Sequence, residues 1–328
     1  MDDLFYEAEE GVRPVFSLLG MPVTAYALCV AGALALGMLL LGWTCRRQGL
    51  GGDTAWRLSL AGLPLGLLGA RLFYCLARIS FFAAIGLENI LYLWQGGYAL
   101  WGAVGGAALA AVWTARLSRQ PLAKLLDALA APGALIIALC RFAEYFSGEG
   151  RGPVMESEAF SFFPLAVFNP EYEEWELAVF LMEGIAALAI LFVVLGKQRK
   201  SGDTARLMLV LYAACQVVLE SLRRDDCLRW MFVRVSQLTA VILLALMMLF
   251  ALIRRAREGR LIPKRAALWC AMFLLCVGLC IWMEFAQDKS PDLPMWACYL
   301  IMAAACAGLG ISAYRVVFAG DRAGENGD

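Results

Sequence analysis

The chain has 328 residues and no net formal charge; 62% of it is hydrophobic, 17% is charged, and it contains no histidine. A soluble globular domain carries about 25% charged residues, so this composition excludes that class and indicates an integral membrane protein. The neutral balance supplies no field for nucleic acid, and the lack of histidine removes the commonest general base and metal ligand.

A helix needs about 20 residues to cross a hydrocarbon core. Apolar runs near that length predict spans over residues 21–43, 58–82, 98–117, 125–141, 177–196, 207–222, 238–253, 268–285 and 295–314. Before the first span lie Asp2, Asp3, Glu7, Glu9 and Glu10, where a cleaved signal peptide would be basic, so that span is read as a retained helix. Alternate connections then collect the cations: Arg46, Arg47 and Arg57; Arg116, Arg119 and Lys124; Lys197, Arg199, Lys200 and Arg206; Arg254, Arg255, Arg257, Arg260, Lys264 and Arg265; and Arg315 with Arg322. The positive-inside rule therefore predicts the amino terminus outside and the carboxyl terminus in the cytoplasm.

The longest outer connection, about 144–176, carries Glu144, Glu149, Arg151, Glu156, Glu158, Glu171, Glu173, Glu174 and Glu176 among Phe160, Phe162, Phe163 and Phe168. Such a mixture predicts a small external cap on the membrane surface. The last two spans, with Cys270, Met272, Cys276, Cys280, Trp282 and Trp296, read as lipid-facing helices without assigned chemistry. Most of the eleven cysteines sit in apolar runs with no CxxC pattern, as apolar fillers rather than disulfide or metal partners.

An ionisable residue at membrane depth is costly and marks a site, which singles out Arg71, Arg141, Glu144, Glu149, Glu220 and Arg223. The planar arginine fork matches phosphate, and a phosphate at the outer interface is most often a lipid headgroup. The same spacing also admits plain neutralisation, Arg141 with Glu144 and Glu220 with Arg223 or Arg224, at helical i, i+3 and i+4 positions. Gly62, Gly66 and Gly69, like Gly96, Gly97, Gly102, Gly105 and Gly106, suit close helix approach.

The order Gly69-Ala70-Arg71-Leu72-Phe73-Tyr74, Gln95-Gly96-Gly97-Tyr98-Ala99-Leu100-Trp101-Gly102, Asp127, Pro132 and Arg141-Phe142-Ala143-Glu144-Tyr145-Phe146-Ser147-Gly148-Glu149 resembles the bacterial prolipoprotein diacylglyceryl transferase family. Collinear similarity continues through Glu183-Gly184, Tyr212 to Arg223 and Ser236-Gln237-Leu238, over about residues 16–255. The resemblance implies an all-α polytopic protein of the bacterial plasma (cytoplasmic) membrane. It would have a seven-helix transferase-like core over 1–255 and two additional transmembrane helices over 256–328. It also implies transfer of the diacylglyceryl group of phosphatidylglycerol to the lipobox cysteine thiol of a preprolipoprotein, with release of glycerol phosphate and no cofactor or metal. The implied partners are phosphatidylglycerol or another anionic phospholipid, the lipobox peptide and the membrane, with no nucleic acid.

Carried over by position, the resemblance makes Arg141, Glu144, Glu149, Gln216 and Glu220 the expected catalytic residues. It makes Tyr26, Arg71, Gly97, Trp101, Asp127, Tyr212 and Arg223 the expected substrate-binding residues. Glu144, one turn from Arg141, is the expected base. Trp101 stands where the family carries histidine, Gln216 where it carries a second essential arginine, and Glu144 and Ser147 where it carries asparagines. These departures leave an alternative, a non-catalytic descendant that binds phospholipid or lipoprotein precursor. A transporter is the weaker reading, since no internal repeat is visible.

Overall fold

The computed structural model describes residues 14–18, 21–93, 96–155, 157–196, 200–224, 228–230, 233–289 and 295–318. The acidic residues Asp2, Asp3, Glu7, Glu9 and Glu10, together with Gln95, Glu156, Lys197, Arg199 and Arg322, lie outside the described residues, as does the side chain of Trp296.

Strand β1 (Pro14–Leu18) pairs antiparallel with β2 (Met21–Thr24). That pairing takes up the first residues of the predicted 21–43 span, so α1 begins later and covers Ala25–Arg47. Thr24 caps it: its hydroxyl accepts the Ala27 amide at 3.2 Å, satisfying one of the orphan donors of the first turn. The predicted 58–82 span is divided between α2 (Gly52–Ala77) and α3 (Ile79–Ile85), because the backbone leaves the helical region at Arg78. There follow α4 (Leu100–Ser118) and α5 (Leu122–Ala143), which runs into a 3-10 turn over Glu144–Phe146.

Strands β3 (Ala166–Asn169) and β4 (Glu174–Leu177) form a hairpin in the long connection. Next come α6 (Val179–Gly196) and α7 (Asp203–Leu222). A two-residue pairing of β5 (Arg229–Trp230) with β6 (Val233–Arg234) precedes α8 (Val235–Arg257), α9 (Pro263–Lys289) and α10 (Met295–Phe318). Among the described residues, nine helices, all but α3, are long and apolar enough to cross a membrane. Large apolar side chains such as Leu39, Trp113, Phe192 and Leu275 point outward from them, as lipid-facing surface does. The protein is an all-α polytopic membrane protein whose strands are confined to connections.

The chain divides into two units: residues 1–205 with 222–227, and residues 206–221 with 228–328. In the first, α2 lies along α4, α1 along α5, and α5 along α6. Leu41, Cys45, Leu58, Ala110, Leu125 and Ala128 form a buried core there, and the Thr44 hydroxyl donates to the Ala128 carbonyl at 2.7 Å, tying α1 to α5. The α2–α4 crossing is made by glycine: a Cβ on Gly106 would overlap the Leu65 carbonyl, and one on Gly69 the Gly102 carbonyl. In the second unit α10 lies against α9 and α8, with Met283, Cys298 and Met302 buried together.

The long connection is built rather than trailing. Arg151 Nη1 pairs with Glu176 Oε2 at 3.2 Å, Asn169 Nδ2 donates to the same carboxylate, and the Arg151 carbonyl accepts the Arg224 amide at 2.8 Å. Phe160, Phe162, Phe163 and Phe168 remain exposed on it.

Substitution of Gly106 by Ala is expected to cost about 1–3 kcal/mol, the usual range for overfilling a closed contact. Gly105→Ala, with open space around the new methyl, should be neutral. Thermal unfolding of both variants in detergent checks this, and equal melting temperatures would refute the close α2–α4 crossing.

Candidate functional site

Arg141 ends α5, and Glu144 stands three residues on, so the two side chains share one face. They meet at 2.5 Å, Arg141 Nη1 to Glu144 Oε1. Arg141 Nε also reaches Glu183 Oε2 of α6 at 3.1 Å. Arg223, just beyond α7, closes the arrangement, its Nη1 lying 3.2 Å from Glu144 Oε2 and 3.0 Å from Glu183 Oε2. Each carboxylate therefore touches both guanidiniums, and the four formal charges cancel.

The Glu183 side chain is 1% exposed, Glu144 and Arg223 are 9% exposed, and Arg141 is 13% exposed. An isolated charge at such burial costs several kcal/mol, so each member of the set depends on the others. Small residues make the approach possible. A Cβ on Gly184 would overlap the Phe142 ring, and one on Gly150, which has φ +71°, would overlap the Glu144 carboxylate. Two guanidinium forks and two carboxylates thus share one buried, neutral set.

Of the residues expected from the sequence, Arg141, Glu144 and Arg223 are thus brought together. Tyr26, at the start of α1, lies within electrostatic reach of Glu144, Glu149 and Arg141, with Glu149 on the exposed turn that follows α5. Glu183 has no role in the sequence reading beyond its place in a motif. Its signal was available all the same, since it is the only ionisable residue in the 18 of α6.

Other expected residues lie elsewhere in the first unit. Arg71, 3% exposed, gives its guanidinium to loop carbonyls: Nε to Ile90 at 3.2 Å, Nη2 to Asn89 at 2.8 Å, and Nη1 to Gly96 and Gly97. Its plane also lies over the Phe82 ring. Gly97 has φ +75° and passes against Tyr74, where a Cβ would strike the ring. Trp101 is buried in the first turn of α4. Asp127 is buried at the opposite end of α5 from Arg141, 14 residues or about 21 Å away along the helix. Its carboxylate accepts the amides of Gly202 at 2.6 Å and Ala205 at 2.9 Å, capping the start of α7.

Gln216, Glu220 and Tyr212 belong to the second unit, all buried on α7. Gln216 Nε2 donates to Glu220 Oε2 at 2.8 Å. From the start of α8, Gln237 Nε2 donates to the Val217 carbonyl at 2.9 Å, and Arg234 Nη1 donates to the Glu220 carbonyl. Of the two pairings the spacing allowed, Arg141 with Glu144 is formed. Arg223 takes Glu144 and Glu183, and Glu220 takes Gln216. Among the described residues no group of three or more cysteine or carboxylate side chains could hold a metal ion.

A family model described as prolipoprotein diacylglyceryl transferase matches residues 13–254. The match ends before α9. Phosphatidylglycerol–prolipoprotein diacylglyceryl transferases of Streptococcus pyogenes serotype M5 (strain Manfredo) and serotype M49 (strain NZ131) are each 25% identical to the chain over 243 residues. That stretch is 71% of this chain and 92% of each relative.

Glu183→Gln would leave two buried guanidiniums sharing one carboxylate, and a loss of about 3–5 kcal/mol is expected, as for other broken buried pairs. Arg151→Ala, which breaks a more exposed pair, should cost about 1 kcal/mol or less. Reversible unfolding in mixed micelles compares the two, and a Glu183→Gln variant as stable as the parent would show that the four-residue set contributes nothing to folding.

Proposed function

The chain belongs to the prolipoprotein diacylglyceryl transferase family, and from that premise we propose that it moves the diacylglyceryl group of phosphatidylglycerol onto the lipobox cysteine thiol of a preprolipoprotein. The protein would sit in the bacterial plasma membrane with its amino terminus outside and its carboxyl terminus in the cytoplasm, as the distribution of its basic connections favours. Residues 1–255 would form the transferase core, and 256–328 a pair of added helices.

The observation that carries this reading is the buried set of Arg141, Glu144, Glu183 and Arg223. A headgroup phosphate entering it takes the arginine forks in place of Glu144, the more exposed of the two carboxylates. Glu144, so released, accepts the thiol proton. The sulfur then forms its bond to the terminal glyceryl carbon, and the bond from that carbon to the phosphate oxygen breaks. The electron pair leaves on glycerol phosphate, whose growing negative charge Arg141 and Arg223 hold.

In the same reading Tyr26 and Glu149 border the headgroup; in the second unit Gln216 and Glu220 hydrogen-bond each other. Trp101 supplies a buried apolar surface at the start of α4. Arg71 and Gly97 act by shaping the loop after α3, and Asp127 by fixing the start of α7. A second reading keeps the lipid and loses the reaction. It is favoured by the absence of histidine from the chain and by Trp101 at the position where the family carries one.

Transfer of label from diacylglyceryl-labelled phosphatidylglycerol to a lipobox peptide by the purified protein in nanodiscs separates the two. Arg141→Ala is expected to lower transfer about 10²–10³-fold, the loss typical of removing one charge-stabilising donor. Glu144→Gln should abolish transfer while the lipid is still retained. Arginine-dependent retention without transfer in the parent protein would select the non-catalytic reading, and wild-type turnover in Arg141→Ala would remove the site.

A further inference from the structure

In the second unit, the turn that joins α8 to α9 holds Arg254, Arg255, Arg257, Arg260, Lys264 and Arg265 within twelve residues, against the single acid Glu258. Orientation in a membrane asks for less. The connection over 46–57, of the same length, and the connection over 116–124 carry three cations each. The excess calls for a partner.

Some of this charge is spent within the fold. Arg254 Nε pairs with Glu258 Oε1 at 2.8 Å, and that hydrogen bond holds the Glu258 carboxyl below the usual carboxylate range. Arg260 stands 3.9 Å from the same carboxylate with its side chain 75% exposed, a pairing too long and too wet to contribute much. Arg255 Nη2 donates to the Val317 carbonyl near the end of α10 at 3.4 Å, and Arg315 of α10 lies over the Trp269 ring of α9. These contacts bring the ends of α8 and α10 and the start of α9 to one place. Arg257, Lys264 and Arg265 are exposed there and, among the described residues, have neither an ionic nor a hydrogen-bond partner.

The helix dipole favours Arg257 at the end of α8 but opposes Lys264 and Arg265 in the first turn of α9, where no acid offsets them. Beside them Ile262 and Leu268 are 54% and 63% exposed, so the free cations border apolar surface. A long side chain with a charged tip suits that boundary, its stem lying along hydrocarbon and its tip reaching the headgroups.

We propose that the α8–α9 turn is a binding surface for anionic phospholipid, with Arg257, Lys264 and Arg265 taking the phosphates of headgroups in the leaflet that the turn faces. Clusters of four to eight lysines and arginines next to a membrane-spanning helix bind acidic lipid in this way, each cation contributing about fivefold. The surface lies beyond the family match, which ends at residue 254, and it does not depend on the transfer reaction. Charge rather than a glycerol headgroup is what it recognises, so phosphatidylserine is a suitable probe.

The test measures retention of labelled phosphatidylserine by the immobilised full chain in micelles with an excess of phosphatidylcholine. Three forms are compared: the parent, the triple variant Arg257→Gln, Lys264→Gln and Arg265→Gln, and a control in which Arg116→Gln, Arg119→Gln and Lys124→Gln remove as much charge from another connection. The parent is expected to prefer phosphatidylserine, the triple variant to lose about a hundredfold in affinity for it, and the control to bind as the parent does. The preference should also vanish in 1 M salt, where exposed charges are screened beyond about 3 Å.

A parent without preference for phosphatidylserine overturns the inference, and so does a preference that survives 1 M salt. Equal affinity in the parent and the triple variant refutes it, as does an equal loss in the control. Where the triple variant fails to insert, the single variant Arg265→Gln takes its place: a loss of about fivefold supports the surface, and unchanged affinity refutes it.

Discussion

Two guanidiniums and two carboxylates buried in an apolar bundle must find one another, and that requirement organises the first unit of this protein. Arg141 comes from the end of α5, Glu144 from the turn after it, Glu183 from α6, and Arg223 from the residue following α7. None is tolerable alone at this depth, so the chain segments that carry them are held together by charge as well as by shape. The glycines at 150 and 184 follow from the same constraint. Without them the turn and α6 could not come close enough for four ionic contacts of 2.5–3.2 Å.

The same economy explains residues that matter without being near that set. Arg71 is as deeply buried as any arginine in the described chain, yet it faces backbone carbonyls of the loop that leads into α4. Asp127 likewise spends its charge on two amides at the start of α7. Lipid cannot hydrogen-bond loop carbonyls or helix ends, so a membrane protein must satisfy them from within. An ionisable side chain does so more strongly than a neutral one. Depth and charge alone therefore mark two kinds of residue, those that pair with another buried charge and those that replace water for the backbone.

Much of this was legible in the sequence. Among the described residues each of the nine apolar runs falls on a helix long and apolar enough to span, because length and hydropathy are all that spanning requires. The Arg141–Glu144 contact follows from helical spacing. Boundaries were less legible: β1 and β2 took the residues before Ala25, and Arg78 ended α2 before the apolar run did. Partners distant in the chain were least legible. Helical spacing offers Glu220 either Arg223 or Arg224, whereas the carboxylates of Glu144 and Glu183 that Arg223 takes stand 79 and 40 positions away. Glu183 carried a clear signal, the lone acid of the apolar α6. Arg234 lay in a short connection where a charge is unremarkable until the fold buries it.

The neutrality of the four-residue set bears on how an anionic lipid could be used at all. An unpaired pair of arginines would hold phosphate tightly but would be costly to keep buried in its absence, and slow to release product. In the proposed reaction, with Glu144 and Glu183 already in place, an entering phosphate would compete with carboxylates rather than with nothing, so much of its binding energy would go into exchanging partners. Ground-state affinity would thereby be tempered, while the second negative charge on the departing phosphate would still meet two guanidiniums. Such an arrangement would favour the later charge over the earlier one, which is the condition for stabilising a transition state more than a substrate.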